Sequence, residues 1–591
     1  MTEWAKLYNN LMCRIAGIID STRYKDQLID DVNNMISAML HGGPDGRGVF
    51  SNGIFSLGHC RLSLIDLSDT ASQPMQDEAT GNVIAFNGEI YNFSELRNEL
   101  QKLGHVFKSH SDTEVILKAY AQWGKKAFEK FNGMFAFAIY DKSNNKILLV
   151  RDANGIKPLY YSTSNNQLIF SSEIKAFKEL MPDENDYWKI LFLSYGFIPE
   201  PYTKYENVFM LEAGAILEFN LSNYKINISK FEYVSNISTT YKDITEIKYS
   251  LLEAVNRHLI SDAPIGLFLS GGIDSSILTI LASASSDDIN TLSINFSELE
   301  YSEKKFQDLI VSITNSHHHS YELNNSIFDQ NIESIYYSYD LPSNDGVNTW
   351  FISKFAKENN LKAVLSGLGA DEIFGGYPSF KRVNQLKKLQ SFKNVILPLS
   401  KILSKKLKRL EFLKLDENVS DYLLLRGFYS PSQVALILNA DVNNVCEVLN
   451  SNKPNTTLKI SSIEDVSSIE RNIYMRNQLL RDSDSMSMQH GVEIRVPFLD
   501  NEFQSLIKTI KSDVLFEVPG QKSLLIKAFK DVLPDDIWNR PKKGFQFPFK
   551  EWFKKSDFII SKMNNDVKQR EYKSFTKHDV HWSKIWALAQ I

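Results

Sequence analysis

Three groups of residues in this chain are of types and spacings that could do chemistry. The first begins at Cys13, in the run Cys13-Arg14-Ile15-Ala16-Gly17-Ile18, and continues through His41 to Asp45, Arg61-Leu62-Ser63, Asn87 to Asn92 and Ser111 to Glu114. A thiol nucleophile needs a base, and no histidine neighbours Cys13 in sequence. The α-amine of the same cysteine, with a pKa near about 8, can serve if Cys13 begins the working chain. Taken alone, a cysteine is more often a small buried hydrophobe. The other runs supply what attack on an amino-acid amide requires: Arg61 as a forked partner for a carboxylate, Glu89 and Asp112 as partners for an ammonium, and the Asn87 amide with the Gly88 N–H as donors to a tetrahedral oxyanion. The bland reading of Asn87-Gly88 is a hairpin turn.

The second group is Ser270-Gly271-Gly272-Ile273-Asp274-Ser275-Ser276, directly behind the apolar run Ile265 to Leu269. Glycines, hydroxyls and a following helix N-terminus make an anion cradle. No Gly-Lys-Ser/Thr follows, so a γ-phosphate-transfer loop is not implied. The third group, Leu365 to Tyr377, carries Ser366, Gly367, Asp371 and Glu372 behind another apolar run.

The elements that must position these groups change character along the chain. From Cys13 to about 220, short apolar runs bounded by Gly, Asn, Asp and Ser read as strands, interrupted by helices over 26–40 and 94–103, the latter with Ser94 as N-cap. This half reads as an α+β sandwich. Past the polar stretch 235–248, apolar strands alternate with helices, the pattern of a parallel sheet with ligands at its carboxyl ends. From Tyr377 on the pattern is mostly helical.

With these motifs in this order, the sequence resembles the class II glutamine amidotransferases with an N-terminal nucleophile, and in particular the glutamine-dependent asparagine synthetase family, over nearly the whole chain from Cys13. Further matches are Arg151-Asp152 with Gly155 to Tyr161, Gly520-Gln521-Lys522-Ser523, Arg495 to Asp500 and Arg540 to Phe545. The resemblance implies a 13–220 amidotransferase domain of N-terminal-nucleophile hydrolase fold and a 221–591 ATP-binding synthetase domain. Residues 1–12 are then an extension that is removed, or not translated if synthesis starts at Met12. It further implies Cys13 as nucleophile, Asn87 and Gly88 as oxyanion hole, and Arg61, Glu89 and Asp112 as glutamine clamp. ATP would be cleaved to AMP and pyrophosphate on the loop Ser270, Gly271, Gly272, Asp274 and Ser275. Ile294, Ser366 and Gly367 would contact adenosine, Lys522 would offset phosphate charge, and Asp274 and Asp371 would ligate Mg²⁺. The expected partners are glutamine, ATP and a carboxylate, aspartate in this family, with a homodimer and weak contact with a membrane surface as further expectations.

Three positions depart from the family pattern. Arg14 stands where a small residue is usual, Gly42 where the family has Arg, and Leu368 where it has Glu. Leu368 cannot pair with the α-ammonium of aspartate, which points to another acceptor, such as a sugar uronic acid of a surface polysaccharide. A catalytically silent scaffold is the rival of another class, and it has no need of the intact Cys13, Asp274 and Asp371.

Composition limits the alternatives. At 591 residues, 43% hydrophobic and 23% charged, the chain reads as a globular protein of more than one domain. A net charge of -5 argues against nucleic-acid binding. Three scattered cysteines and no signal-like start fit a cytoplasmic enzyme. His317-His318-His319 lie adjacent on an expected strand, where neighbours point to opposite faces, which disfavours a shared metal. Between Lys381 and Leu410 lie ten basic and no acidic residues, a solvated helical surface or a face for an anionic membrane.

Overall fold

The computed structural model describes residues 13–591 except positions 44, 63, 67, 165, 236–240, 299, 400–404, 457–458, 542–543, 545 and 578–579. The extension 1–12, and with it the choice between removal and a Met12 start, lies outside the described residues, as do Pro44, Ser63, Lys542, Lys543, Phe545 and part of the basic stretch after Lys381.

Among the described residues, twelve strands precede residue 231: β1 (Arg14–Ile19), β2 (Gly46–Ser51), β3 (Phe55–Arg61), β4 (Met75–Gln76), β5 (Val83–Ile90), β6 (Gly133–Asp141), β7 (Lys146–Arg151), β8 (Tyr160–Ser164), β9 (Gln167–Ser171), β10 (Val208–Met210), β11 (Ala215–Asn220) and β12 (Ile226–Lys230). They form two antiparallel six-stranded sheets, ordered β10-β8-β9-β1-β3-β2 and β12-β11-β7-β6-β5-β4. The second sheet runs past residue 220 to Lys230, because β12 pairs with β11. Alternation along the strands sets the layers. Val83 and Ala85 of β5 turn inward to meet Ile15, Phe55 and Phe170 of the other sheet. Ile84, Phe86 and Ile90 turn outward onto the helices Phe93–Lys102 and Asp112–Trp123. On the far side, Ala16 and Ile18 of β1 receive Leu28, Val32 and Ile36 of the helix Lys25–Ser37. Each such buried aliphatic side chain contributes about 1.5–3 kcal/mol. The result is a helix-sheet-sheet-helix sandwich. Asn92, not Ser94, occupies the N-cap of Phe93–Lys102, its side chain spent on the Lys130 carbonyl and the Asn132 amide.

The second half is built on a parallel sheet of β13 (Ile265–Phe268), β14 (Asn290–Phe296), β15 (His317–Leu323), β16 (Ala363–Leu365) and β17 (Glu493–Arg495), in the order β15-β14-β13-β16-β17. The order reverses between β13 and β16, so chain leaving these two neighbours diverges and opens a crevice at their carboxyl ends. The loops Ser270 to Ser275 and Ser366 to Asp371 begin there. Helices fill most of the chain beyond Tyr377, with one correction: β17, three residues within that region, adds the fifth strand. Three residues are too few to show a period of two. Along β15 the imidazoles find different partners, His318 on Thr291 and His319 on Asn290. No described helix is long and apolar enough to cross a membrane.

Candidate functional site

Cys13 immediately precedes β1, the central strand that brings its thiol to the rim between the two halves. A small cavity of about 30 Å³ adjoins it, lined by Arg61, Gly88, Glu89 and Asp112, among others. Five of the six residues expected around glutamine thus share one cavity. Asn87 lies one residue back with its amide on Ser172 Oγ (3.4 Å). The Leu62 N–H donates to Cys13 Sγ (3.3 Å), and burial pushes the thiol up to about 12. Such a thiol is neutral at pH 7 and attacks only if a base takes its proton. Arg61 is held by the carbonyls of Ser68 (2.8 Å) and Asp66 (2.5 Å). Asp112 Oδ2 accepts from the Ile90 N–H (3.0 Å), and burial lifts the carboxyl to about 6. Gly88 has φ +137, and a Cβ there would lie 2.0 Å from the Met134 carbonyl, so the cross-strand contact demands glycine.

The sequence reading missed that the second half completes this cavity. Glu493, at the start of β17, lines it, and Arg495 reaches back to Glu89 (3.4 Å) while bonding Glu493 (2.9 Å). Burial raises Glu89, and Arg495 opposes that rise. The run Arg495 to Asp500 was visible as a family match, but nothing in it announced contact with a site some 400 residues earlier. Arg14, fully buried, bonds Glu173 (2.7 Å) on one side and Asp484 (2.9 Å) on the other. Glu173 also meets His41 (3.0 Å), next to Gly42.

At the crevice of the parallel sheet lie two further cavities that share Ser270. The larger, about 810 Å³, is lined by Gly272, Asp274, Asp371, Lys381, Lys522, Lys527 and Arg540, among others. Lys522 Nζ sits between Asp274 (2.5 Å) and Asp371 (2.7 Å), which raise its pKa against the effect of burial. The two carboxylates therefore converge on one cation, and as hard oxygen donors they also fit Mg²⁺ beside phosphate oxygens. Gly271 takes φ +80, and Ser275 Oγ turns inward to the Ser270 amide (3.2 Å). Gly367 packs on Asp274, where a Cβ would come within 2.8 Å, so the two loops touch.

The smaller cavity, about 170 Å³, has Leu269, Leu292 and Ile294 on the strand side and Ser366 and Leu368 on the loop side, closed by Asp345, Asn348, Thr349, Asp482 and Ser483. Of the residues expected to contact adenosine, Ile294 and Ser366 line it and Gly367 does not. Glu372, a carboxylate four residues along the same loop from Leu368, does not line it. It is buried behind the loop, accepting from the Tyr377 hydroxyl (2.7 Å).

Residues 12–232 match the glutamine amidotransferase domain family, and residues 246–578 match the asparagine synthase family. The chain belongs to the glutamine-hydrolysing asparagine synthetase family. It is a glutamine-dependent ligase by that membership. Asparagine synthetase [glutamine-hydrolyzing] 1 of Bacillus subtilis (strain 168) is 30% identical over 98% of this chain and 93% of its own length. Putative asparagine synthetase [glutamine-hydrolyzing] 2 of Methanocaldococcus jannaschii is 36% identical over 66% of this chain and 82% of its own length. Among solved structures, glutamine phosphoribosylpyrophosphate amidotransferase from B. subtilis aligns with 47% of this chain and 65% of its own, at 17% identity and a TM-score of 0.28.

Proposed function

We propose that the enzyme hydrolyses glutamine at Cys13 and uses the ammonia to amidate a carboxylate that it has activated with ATP. The observation that carries this reading is the presence in one chain of a half-buried thiol among Arg61, Glu89 and Asp112 and of a cation-lined cavity at a strand-order reversal.

In the first site the free α-amine of Cys13 takes the thiol proton, and sulfur attacks the side-chain carbonyl carbon of glutamine. Asn87 and the Gly88 N–H stabilise the oxyanion, each donor being worth about 3 kcal/mol. The C–N bond breaks, the amine returns its proton to the leaving nitrogen, and water hydrolyses the thioester to glutamate. Arg61 would hold the glutamine carboxylate, and Glu89 and Asp112 its ammonium. Cys13 also borders an apolar cluster of Leu62, Leu64, Ala263, Ala363 and Met488, surfaces across which neutral ammonia can pass without a charged partner.

In the second site an acceptor carboxylate oxygen attacks the α-phosphorus of ATP, and the bond to pyrophosphate breaks. Ammonia then displaces AMP from the acyl carbon, giving an amide and a proton. Ser270, Gly271, Gly272 and Ser275 shape the pyrophosphate cradle, Lys522 offsets its charge, and Ile294 and Ser366 border adenosine in the smaller cavity, with Gly367 behind them against Asp274. Mg²⁺ held by Asp274 and Asp371 would supply charge stabilisation on the phosphates. In this reading residues 13 to about 230 form the amidotransferase unit and the remainder the synthetase.

The test is the product set. Glutamine and Mg²⁺ should drive release of glutamate, AMP and pyrophosphate in equal amounts when an acceptor is present. Release of ADP and phosphate, or no ATP turnover with any acceptor, would overturn the proposal.

A further inference from the structure

We infer that Lys381 binds pyrophosphate at the mouth of the phosphate cavity and guides that product out. The inference rests on the ligase reading above and adds a residue to its ATP site.

Among the described residues, four cations line the cavity of about 810 Å³: Lys381, Lys522, Lys527 and Arg540. Three of them are committed within the protein. Lys522 is held between Asp274 and Asp371, and Lys527 pairs with Glu517. Arg540 spends its guanidinium on Glu303 (2.6 Å) and the Gly271 carbonyl (2.9 Å). The Lys381 ammonium has no ion-pair or hydrogen-bond partner among the described residues. Its backbone is nonetheless fixed, because it closes the turn Pro378–Lys381, whose buried Phe380 packs on the Phe516 ring at 5.5 Å.

Two glycines let the lysine stems pass. The Gly520 N–H donates to the Gly375 carbonyl (2.7 Å) and joins the loop behind Asp371 to the loop before Lys522. A Cβ on Gly376 would lie 2.5 Å from Lys522 Cε, and one on Gly520 would lie 2.7 Å from Lys381 Cε. Lys522 is buried beside the carboxylates, whereas Lys381 is exposed and also lines a surface groove that adjoins the cavity. That groove carries Lys387 and, among its described lining residues, no Asp or Glu. Attack on the α-phosphorus leaves the electron pair of the broken P–O bond on pyrophosphate. The added charge develops where Lys522 is already shared by two carboxylates, so that ammonium can offset only part of it. Lys381 meets the same polyanion with its charge uncompensated, and no described acid in the groove opposes departure on that side.

The probe is pyrophosphate with Mg²⁺, titrated calorimetrically into the full-length enzyme, with AMP as the reference ligand. Lys381→Met keeps a side chain across Gly520 and removes the charge. It should weaken pyrophosphate binding about tenfold and leave AMP binding within about twofold of wild type. Lys381→Arg, which keeps the charge, should bind pyrophosphate within about threefold of wild type. Unchanged pyrophosphate affinity in Lys381→Met would overturn the inference while leaving the ligase reading intact. An equal loss in Lys387→Met would overturn it too, since the effect would then belong to the surface field as a whole. So would a parallel loss of AMP binding in Lys381→Met, the mark of a damaged fold. Wild-type enzyme that binds AMP but no pyrophosphate would overturn both the inference and the phosphate role given to this cavity.

Discussion

Arg14 and Asp484 form a buried ion pair at 2.9 Å although 470 residues separate them in sequence. Arg14 follows Cys13 directly, and Asp484 lies on the helix Arg481–Met488 whose Asp482 and Ser483 line the small cavity at the parallel sheet. The pair therefore ties the strand that holds the thiol to a wall of the small cavity at the parallel sheet. In Arg14→Gly, loss of a buried partner should cost about 3 kcal/mol in urea unfolding. Misplacement of Cys13 should lower glutamine-driven turnover about tenfold or more relative to ammonium-driven turnover. An unchanged ratio would reduce the pair to a stabilising contact.

Cys13→Ala should bring glutamine-driven synthesis to background and leave ammonium-driven synthesis within about twofold of wild type, since only the first site uses the thiol. Mass spectrometry of the active protein should find a chain that starts at Cys13. Fully active enzyme that retains residues 1–12 would rule out the α-amine as base.

Asp274→Asn and Asp371→Asn each remove an anionic oxygen from the cluster around Lys522. Pyrophosphate release should drop by about 100-fold or more in either variant while glutamine hydrolysis persists. Parallel loss of both activities would show that the carboxylates hold the fold and not the phosphates.

Gly88→Ala should be costly for a reason visible without any ligand. The added methyl would meet the Met134 carbonyl at 2.0 Å and force an L residue to φ +137. A loss of about 3 kcal/mol or more is expected, read as a lower denaturant midpoint.

Asp482 gives the protein a calculable pH response. Burial lifts its carboxyl to about 8, from about 3.9 in an unfolded chain. Between those values the folded state keeps a proton that the unfolded chain has released, so its contribution lowers stability as pH rises from about 4 to 8. Asp482→Asn removes this slope while its side-chain carbonyl can still accept from the Ser343 hydroxyl. Relative to wild type it should gain stability on going from pH 5 to pH 8, by urea unfolding at each.

What the sequence made legible followed from local signals. Cys13, Arg61, Glu89 and Asp112 were singled out as groups that attack on an amino-acid amide would need, and they share one cavity; Ser270 to Asp274 were singled out as glycine and hydroxyl residues behind a strand, and they stand at the crevice of the parallel sheet. The parallel sheet was readable from alternating strands and helices. What stayed hidden depends on long-range placement. Glu493 joins the thiol cavity only because β17 docks beside β16, and three residues cannot show a period. Asp345 and Asp482 reach the cavity of Leu368 from distant segments, and no local pattern announces that meeting. Arg14 and Gly42 looked like isolated departures. In the structure the Arg14 guanidinium and the His41 ring meet at Glu173.

β17 has a consequence for anyone who would take the enzyme apart. Glu493 faces the Cys13 cavity and the next residue, Ile494, faces the small cavity at the parallel sheet, as neighbours on a strand must. One strand is thus a party wall between two chambers. A slip of a single residue would present each chamber with the side chain meant for the other. The first 230 residues expressed alone would have a thiol cavity open on one side, so exchanging glutaminase halves between relatives should succeed only when this wall is carried across with them.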